Sequence, residues 1–149
     1  IALVALIAGL CWAFGWERFL LVQLPATALS CTLGVWLFYV QHQYEDTYWE
    51  YKPEWDYTLA AMHGSSYYRL PKVLQWFTGN IGFHHIHHLN VRIPFYRLPE
   101  VMAAIPELQS PVMTTLSPRD IRDCFRCCLW DEDRQRVVSY REASRLAAA

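Results

Sequence analysis

The feature that most constrains this chain is a run of 22 residues, residues 19–40, that contains no charged side chain. At ~1.5 Å per residue a helix of this length extends ~33 Å, enough to cross a hydrocarbon core of ~30 Å. A buried helix in a soluble core is the alternative, but a chain of 149 residues has too little other sequence to wrap helices that are apolar on every side. We therefore predict that residues 19–40 span a membrane, with a bend near Pro25.

Residues 1–15 are equally apolar, but at ~22 Å they fall short of a full crossing. Glu17 and Arg18 are the only charged residues before residue 41. The connection that they form between the two apolar segments is too short for anything but a tight turn, so we expect an antiparallel hairpin. A cleaved signal peptide does not fit, because no basic region precedes the apolar run. Since the chain starts with Ile1 in mid-helix, we expect the C-terminal part of a longer protein. Residues 1–40 would then form two transmembrane helices, the first truncated.

The rest of the chain has the composition of a water-facing region. Of the 13 Lys and Arg residues, 12 lie after residue 40, which places that side in the cytoplasm by the positive-inside tendency. We expect short helices in residues 41–110, and a cytoplasmic tail with one helix in residues 111–149. In that helix Ser117 is the expected N-cap and Pro118 the first residue, with an end near Trp130 and a polar turn with a short strand or frayed tail beyond. The sequence thus predicts an all-α integral membrane protein, a helical hairpin followed by a cytoplasmic helical region.

Four of the six histidines lie within residues 84–88, where Ile86 interrupts them. On a helix, His84, His87 and His88 stand at i, i+3 and i+4 and project from one face. Histidine clusters also occur as tags and as protonatable surface patches, but a tag does not lie inside a chain between apolar runs. Imidazole binds iron, zinc, copper and nickel, so the spacing predicts a transition-metal site.

The spacing alone leaves the metal open. A zinc site needs three or four ligands in a tetrahedral array, and His42 would join His84, His87 and His88 to supply them. A non-haem iron site uses neutral imidazoles and keeps positions open for oxygen. A haem anchor is disfavoured, because neither predicted membrane helix contains an internal histidine for axial ligation.

Three stretches resemble membrane fatty acid desaturases, especially the acyl-lipid desaturases of bacteria. They are residues 38–45 (FYVQHQYE), 64–68 (GSSYY) and 79–89 (GNIGFHHIHHL). The third contains an H-x-x-H-H box at the expected distance after a membrane hairpin. The resemblance extends over residues 1–110, and residues 111–149 carry no motif of this family.

The resemblance implies a non-haem di-iron centre, built from three histidine boxes on the cytoplasmic side of about four membrane helices. His84, His87 and His88 match the third box. His42 lies just after the second membrane helix predicted in this chain, and it is similar to an extra histidine that many members have there. The first two boxes are absent from the chain. The resemblance therefore implies a C-terminal fragment that carries about half of the site and is inactive alone, with two irons in the full-length enzyme.

For the complete enzyme, the resemblance implies an oxidoreductase of fatty acid biosynthesis that uses O2 and two electrons to insert a double bond into a lipid acyl chain. No catalytic residues are expected beyond the metal ligands. The acyl substrate would enter from the bilayer, and the electron donor would be a protein such as ferredoxin or cytochrome b5. No basic patch typical of nucleic-acid binding is present, so nucleic acid is not an expected partner.

Several side chains are expected to support the ligands, because a ligating histidine usually donates its second ring N–H to a carboxylate or a carbonyl. The candidate carboxylates are Glu45, Asp46 and Asp56. His85 points about 100° away from His84 on a helix, so we expect it to hold a ligand or to pack. Asn80, one turn before His84, is expected to orient a ligand or a bound water.

Two alternative functions keep parts of this interpretation. A related di-iron hydroxylase or ketolase would share the histidine boxes and form a different product. A non-catalytic membrane protein with a structural zinc site would use the histidines without oxygen chemistry. Near the C terminus, three arginines of the last predicted helix form either a solvated helix face or a docking site for an acidic electron donor: Arg119, Arg122 and Arg126. Three cysteines there have a spacing that also suits metal binding or redox chemistry, but no second Cys pair or nearby His completes a site, so we expect reduced, structural thiols: Cys124, Cys127 and Cys128.

Overall fold

The computed structural model describes residues 1–148, which are mostly helical, as the sequence predicts. The chain divides into a first unit, Ile1–Leu37, and a second unit that begins at Phe38. The first unit holds the apolar N-terminal helices, and the second holds the histidine cluster. Each unit is described by itself below.

The first unit consists of α1 (Ala2–Phe14) and most of α2 (Trp16–His42). Gly15 separates them with a φ of 83°, a left-handed conformation that favours glycine. The turn was expected at Glu17 and Arg18, but both residues lie in α2. Within the described residues the two helices do not pack along their lengths, so the predicted antiparallel hairpin is not observed. Since both helices are apolar on every side, neither has a distinct face to bury against the other.

Helix α2 is 27 residues long and contains the predicted span, residues 19–40. Among the described residues it is the one helix long and apolar enough to cross a membrane, and its most apolar stretch has no buried residue. Pro25 lies inside the helix, where it lacks the N–H that would bond the preceding turn. Helix α1, at 13 residues and ~20 Å, is too short to cross, which agrees with the short first segment in the sequence.

The second unit contains short helices separated by turns, as expected for a stretch with many prolines. They are α3 (Tyr57–His63), α4 (Lys72–Phe77), α5 (His84–Leu89), α6 (Leu98–Ala104), α7 (Pro118–Arg126) and α8 (Tyr140–Leu146). Two 3-10 turns, Phe95–Arg97 and Pro106–Leu108, flank α6.

Two small sheets correct the all-α prediction. Strand β1 (Tyr67–Arg69) pairs in parallel with β2 (Met113–Thr115), and β3 (Leu129–Asp131) pairs antiparallel with β4 (Arg136–Val138). Strands of three residues are too short to show the alternation of apolar and polar residues by which a strand is recognised in sequence. The strand β4 after a polar turn agrees with the short strand expected in the C-terminal tail.

The apolar core of the second unit surrounds α5. Its buried members are Phe83, Ile86, Leu98 and Leu108. Helix α5 contacts α3, α6 and β1, so the elements on either side of it in the chain close around it. The core therefore holds the helix that carries most of the histidines.

Helix α7 begins as the sequence predicts. The Ser117 hydroxyl accepts a hydrogen bond from the Asp120 N–H at 3.1 Å, and Pro118 is the first helical residue. The helix ends at Arg126 rather than near Trp130, because Cys127 turns to an extended conformation and β3 follows. Residues 111–148 also contain α8, so this segment has two helices where one was expected.

Candidate metal centre

Helix α5 is held in place by its surroundings rather than by its own length. A helix of six residues is marginal in isolation, so packing must supply its stability. Ile86 is 1% exposed and faces the core. At the C-terminal end, the Tyr57 hydroxyl lies 2.7 Å from the carbonyl oxygen of His88 and 2.9 Å from that of Leu89, to which it donates. The backbone of α5 is thus fixed at its middle and at its end.

Gly82 allows the segment before α5 to approach its neighbours closely. A Cβ atom at this position would overlap the carbonyl oxygen of Tyr68 and the side-chain carboxamide of Gln75. The Tyr68 N–H donates to the Gly82 carbonyl oxygen at 2.8 Å, which holds the segment against β1. Glycine is therefore favoured here by space, because any larger residue would push against β1 and Gln75.

Three histidines converge, and we call His42, His84 and His88 the histidine triad. His42 is the last residue of α2, while His84 and His88 stand one turn apart on α5. The Nε2 atom of His88 lies 3.1 Å from Nε2 of His42 and 3.1 Å from Nε2 of His84. The potential ligand atoms of the triad all lie within 4.8 Å of one another. Nitrogen atoms from two distant parts of the chain thus face a common point.

The hydrogen-bonding capacity of the triad fits a cation at this point. A neutral imidazole has one N–H and one lone pair. His42 Nδ1 lies 2.9 Å from the Phe38 carbonyl oxygen, which only accepts, so Nδ1 carries the hydrogen and Nε2 presents its lone pair. One hydrogen on His88 Nε2 does not satisfy both His42 and His84 with good geometry. A metal ion between the three nitrogens would use the lone pairs that otherwise face each other.

The protonation of His84 and His88 also suits metal binding. Burial, with the nearby His42 and His88 as smaller contributions, lowers the pKa of His84 to about 3. Burial likewise lowers the pKa of His88, followed by the effect of His42. Both rings are therefore neutral at pH 7, and the neutral ring is the form that binds a metal.

A model of the family described as fatty acid desaturase matches residues 1–115. The chain belongs to the fatty acid desaturase family. The resemblance drawn from the three sequence stretches is thereby confirmed. The match ends at residue 115, close to the point where the family motifs end in the sequence.

A curated relative agrees with this family. The protein of Bacillus subtilis (strain 168) named "Fatty acid desaturase" is 49% identical to the chain over 141 residues. This alignment covers 95% of the chain and 40% of the relative, so the chain spans about two fifths of the relative's length. No solved structure matches the chain.

In this desaturase-family chain, His87 stands apart from the triad. Its ring centroid lies 5.6 Å from that of His84 and 6.1 Å from that of His88, with the ring partly exposed. The structure therefore brings together three of the four predicted ligands, and it leaves His87 beside them rather than among them.

Two of the three candidate carboxylates have other partners in the structure. An oxygen of Asp56 accepts the Leu59 N–H at 2.8 Å and caps α3. Glu45 forms an ion pair with Arg136. Asp46 is exposed and lines a surface pocket that Asp120 also lines. Within the described part of the chain, no hydrogen bond joins these carboxylates to the triad.

His85 and Asn80 support the backbone around the site. His85 is fully buried, and its Nε2 lies 3.3 Å from the carbonyl oxygen of Leu108. The Asn80 carboxamide donates to the Phe95 carbonyl oxygen at 3.1 Å, and its own φ of 56° helps the chain turn before α5. Both residues hold the loops around α5, which for His85 agrees with the expected packing.

Two supporting groups were missed from the sequence. The Phe38 carbonyl, not a carboxylate, accepts the ring N–H of His42, and the Phe38 ring stacks on the His42 ring at a centroid distance of 4.4 Å. The signal for this contact is the spacing of four residues within a helix, which places residue i−4 beneath residue i. The Tyr57 hydroxyl carries no comparable signal, because its contact with α5 depends on tertiary packing.

Proposed function

We propose that the protein is a fatty acid desaturase that inserts a double bond into a lipid acyl chain with O2 at a non-haem di-iron centre. The observation that carries the proposal is the convergence of three imidazoles, from His42, His84 and His88, beside the end of a membrane-length helix. The family match supports the same class of reaction.

We propose that the chain supplies His42, His84, His87 and His88 as iron ligands. The triad offers three nitrogen atoms to one ion, and His87, adjacent on the same helix, is available to a second. A centre of two irons needs more nitrogen ligands than the six histidines of the chain can supply. One of the six, His85, is already hydrogen-bonded to the Leu108 carbonyl. The remaining ligands would come from outside these 149 residues, and the chain alone would be inactive.

Iron bound by these histidines would supply the strong oxidising power with O2 that an unactivated C–H bond requires. The protein's own groups prepare the site. The Phe38 carbonyl orients the His42 ring, and the Tyr57 hydroxyl fixes the backbone at His88. Burial keeps His84 neutral, so protons do not compete with a metal ion at pH 7.

We propose an integral membrane protein with its histidines on the cytoplasmic face. Residues 1–40 would lie in the membrane, residues 41–110 would form the histidine-box region, and residues 111–149 would form a cytoplasmic tail. The distribution of Lys and Arg supports this orientation, since 12 of 13 follow residue 40. An acyl chain in the bilayer would then reach the site near the end of α2.

The two electrons would come from a protein donor such as ferredoxin or cytochrome b5. The exposed arginines of α7 are our candidate docking site, although Arg119 and Arg122 both lie near Asp123, at 3.7 Å and 3.0 Å, which reduces their net charge. We expect Arg119→Glu to slow reduction of the intact protein by an acidic donor. An unchanged reduction rate would remove α7 from the docking site.

The test of the function is metal analysis with Mössbauer spectroscopy on the intact protein produced with iron-57. We expect two irons per chain in the wild type and loss of iron in a variant with His42, His84 and His88 changed to Ala. The matched control is His63→Ala, because His63 is exposed and lies outside the triad. Iron content unaffected by the triple change would refute the proposal.

Two other outcomes identify the alternatives. Zinc at one ion per chain, without iron, would indicate a structural site, a function that three convergent imidazoles also suit. Iron at the triad with a hydroxylated or oxidised lipid product would indicate a related hydroxylase or ketolase. Analysis of lipids formed by the intact protein separates these products from a new double bond.

A further inference from the structure

The triad joins two elements that are distant in the chain. His84 and His88 are held relative to each other by α5, because residues i and i+4 are neighbours on one helix face. His42 comes from α2, so its distance from α5 depends on contacts between the end of α2 and the segment that leads into α5.

Gln41 makes such a contact. It precedes His42 in the chain, and it is 0% exposed. Its side-chain Nε2 donates to the carbonyl oxygen of Ile81 at 2.9 Å, three residues before His84. The buried Gln41 carboxamide therefore links the end of α2, next to His42, with the segment that leads into α5.

The backbone around Gln41 closes this link into a ring of hydrogen bonds. The Gln41 carbonyl oxygen accepts the Ser66 N–H at 2.9 Å, and the Tyr68 N–H donates to the Gly82 carbonyl oxygen at 2.8 Å. The end of α2, the stretch formed by Ser66 and strand β1, and the segment before α5 are thus joined pairwise. Displacement of any one of the three stretches a hydrogen bond to another.

We propose that Gln41 is a positioning residue for the metal centre, whose carboxamide sets the distance between His42 and the two histidines of α5. This inference rests on the proposed function. Without the side-chain N–H of Gln41, the Ile81 carbonyl oxygen loses this hydrogen bond, and α2 and α5 can shift apart. Groups that support metal ligands typically change metal affinity by about 10–100-fold when removed, and an indirect support belongs at the lower end.

The experiment titrates the intact, metal-depleted protein with Co²⁺ and follows visible absorption, which reports both affinity and ligand geometry. Gln41→Met keeps the side chain's length and removes its N–H donor. The matched control is Gln43→Met, because Gln43 flanks His42 on the other side but donates to the Cys127 carbonyl oxygen. We expect Gln41→Met to bind Co²⁺ about tenfold more weakly with an altered spectrum, and Gln43→Met to bind like the wild type. Melting temperatures of both variants show whether a general loss of structure accompanies the effect.

Unchanged Co²⁺ affinity and spectrum in Gln41→Met would overturn the inference and leave the proposed function standing. Equal weakening in Gln43→Met would also overturn it, because the effect would then be a general one. A wild type that binds no Co²⁺ would overturn the proposed function itself. If Gln41→Met does not fold, Gln41→Asn keeps the carboxamide but shortens its reach, and it should weaken Co²⁺ binding in the same direction.

Discussion

Helices α2 and α5 both present histidines to the triad, but they reach it in different ways. Helix α2 has 27 residues, and its most apolar stretch buries none of its side chains within the protein. Helix α5 has six residues, and it is enclosed by the core at Ile86 and by the hydroxyl of Tyr57. An isolated helix shorter than ~12–15 residues is marginal in water, so α5 depends on tertiary packing more than α2 does. The same kind of substitution should therefore damage the metal site when it is made in the core around α5, and leave the site intact when it is made at an exposed position of α2.

The largest expected effect comes from the core beneath α5. Ile86→Ala removes a side chain that is 1% exposed, so it should lower the free energy of unfolding by about 2–5 kcal/mol. Metal content should fall with it, because the cavity loosens the helix that carries His84 and His88. Thermal unfolding and metal analysis of the intact protein in detergent measure both effects.

The matched control on α2 is Leu29→Ala, at a side chain that is 62% exposed. Its free energy of unfolding should stay within about 0.5 kcal/mol of the wild-type value. Its metal content should equal that of the wild type within experimental error. Similar losses in both variants would break the contrast between the two helices.

The second largest effect is expected from acidification, which should lower the stability that the buried histidines of α5 contribute. Burial lowers the pKa of His84 to about 3 and that of His85 to about 4, while both titrate near 6.5 when unfolded. Above pH 6.5 their contribution to stability is fully present. It is lost as the pH falls from 6.5 toward about 4 for His85 and about 3 for His84, because over that range only the unfolded chain takes up the protons. At pH 5 the loss is about 2 kcal/mol for each histidine in the metal-free protein.

Unfolding of the metal-free protein at pH 7.5 and pH 5.0 measures this loss. His85→Gln should reduce the difference between the two pH values, since it removes one of the two titrating rings and keeps a side-chain N–H for the Leu108 carbonyl. An equal pH dependence in the variant would show that His85 does not contribute.

A smaller effect is expected at the close contact before α5. Gly82→Ala places a methyl group against the Tyr68 carbonyl and the Gln75 carboxamide, and overpacking of this kind costs about 1–3 kcal/mol. On α2, Gly34 has no atom within 4 Å of an added Cβ. Gly34→Ala should therefore be neutral or stabilise the helix by about 0.5–1 kcal/mol. Melting temperatures that move in opposite directions would sharpen the comparison, and a neutral Gly82→Ala would contradict it.

The smallest effect concerns the end of α5. Tyr57→Phe removes the hydroxyl that donates to the carbonyl oxygens of His88 and Leu89, so it should cost about 1 kcal/mol. Tyr140→Phe, at an exposed tyrosine in α8, is the control and should be neutral. Chemical unfolding of both variants measures the difference, which equal midpoints would refute.

The local features were readable from the sequence because helical spacing carries the information. His84 and His88 are one turn apart in the sequence pattern and in the structure. The Ser117 cap of α7 was predicted for the same kind of reason, since cap and helix are neighbours in the chain. The membrane-length helix followed from 22 uncharged residues alone.

The features that depend on distant contacts were not readable. Pairing of β1 with β2 joins segments more than 40 residues apart through three-residue strands, too short to show a period. The separation of His87 from the triad follows from where His42 lies, which helical spacing does not contain. Asp56 is a candidate support for the metal ligands in the sequence, but its position directly before α3 is typical of an N-cap, which is the role the structure gives it.

The contact between His42 and Phe38 has a further consequence for the entropy of ion binding. The Phe38 ring stacks on the imidazole, and the Phe38 carbonyl holds its Nδ1–H, so both side-chain torsions of His42 are restricted by its own helix. Ordering a free side chain on binding costs about 0.5–1.5 kcal/mol. Because folding of α2 has already met this cost, an ion at the proposed site would bind roughly two- to tenfold more tightly than it would to a freely rotating ring.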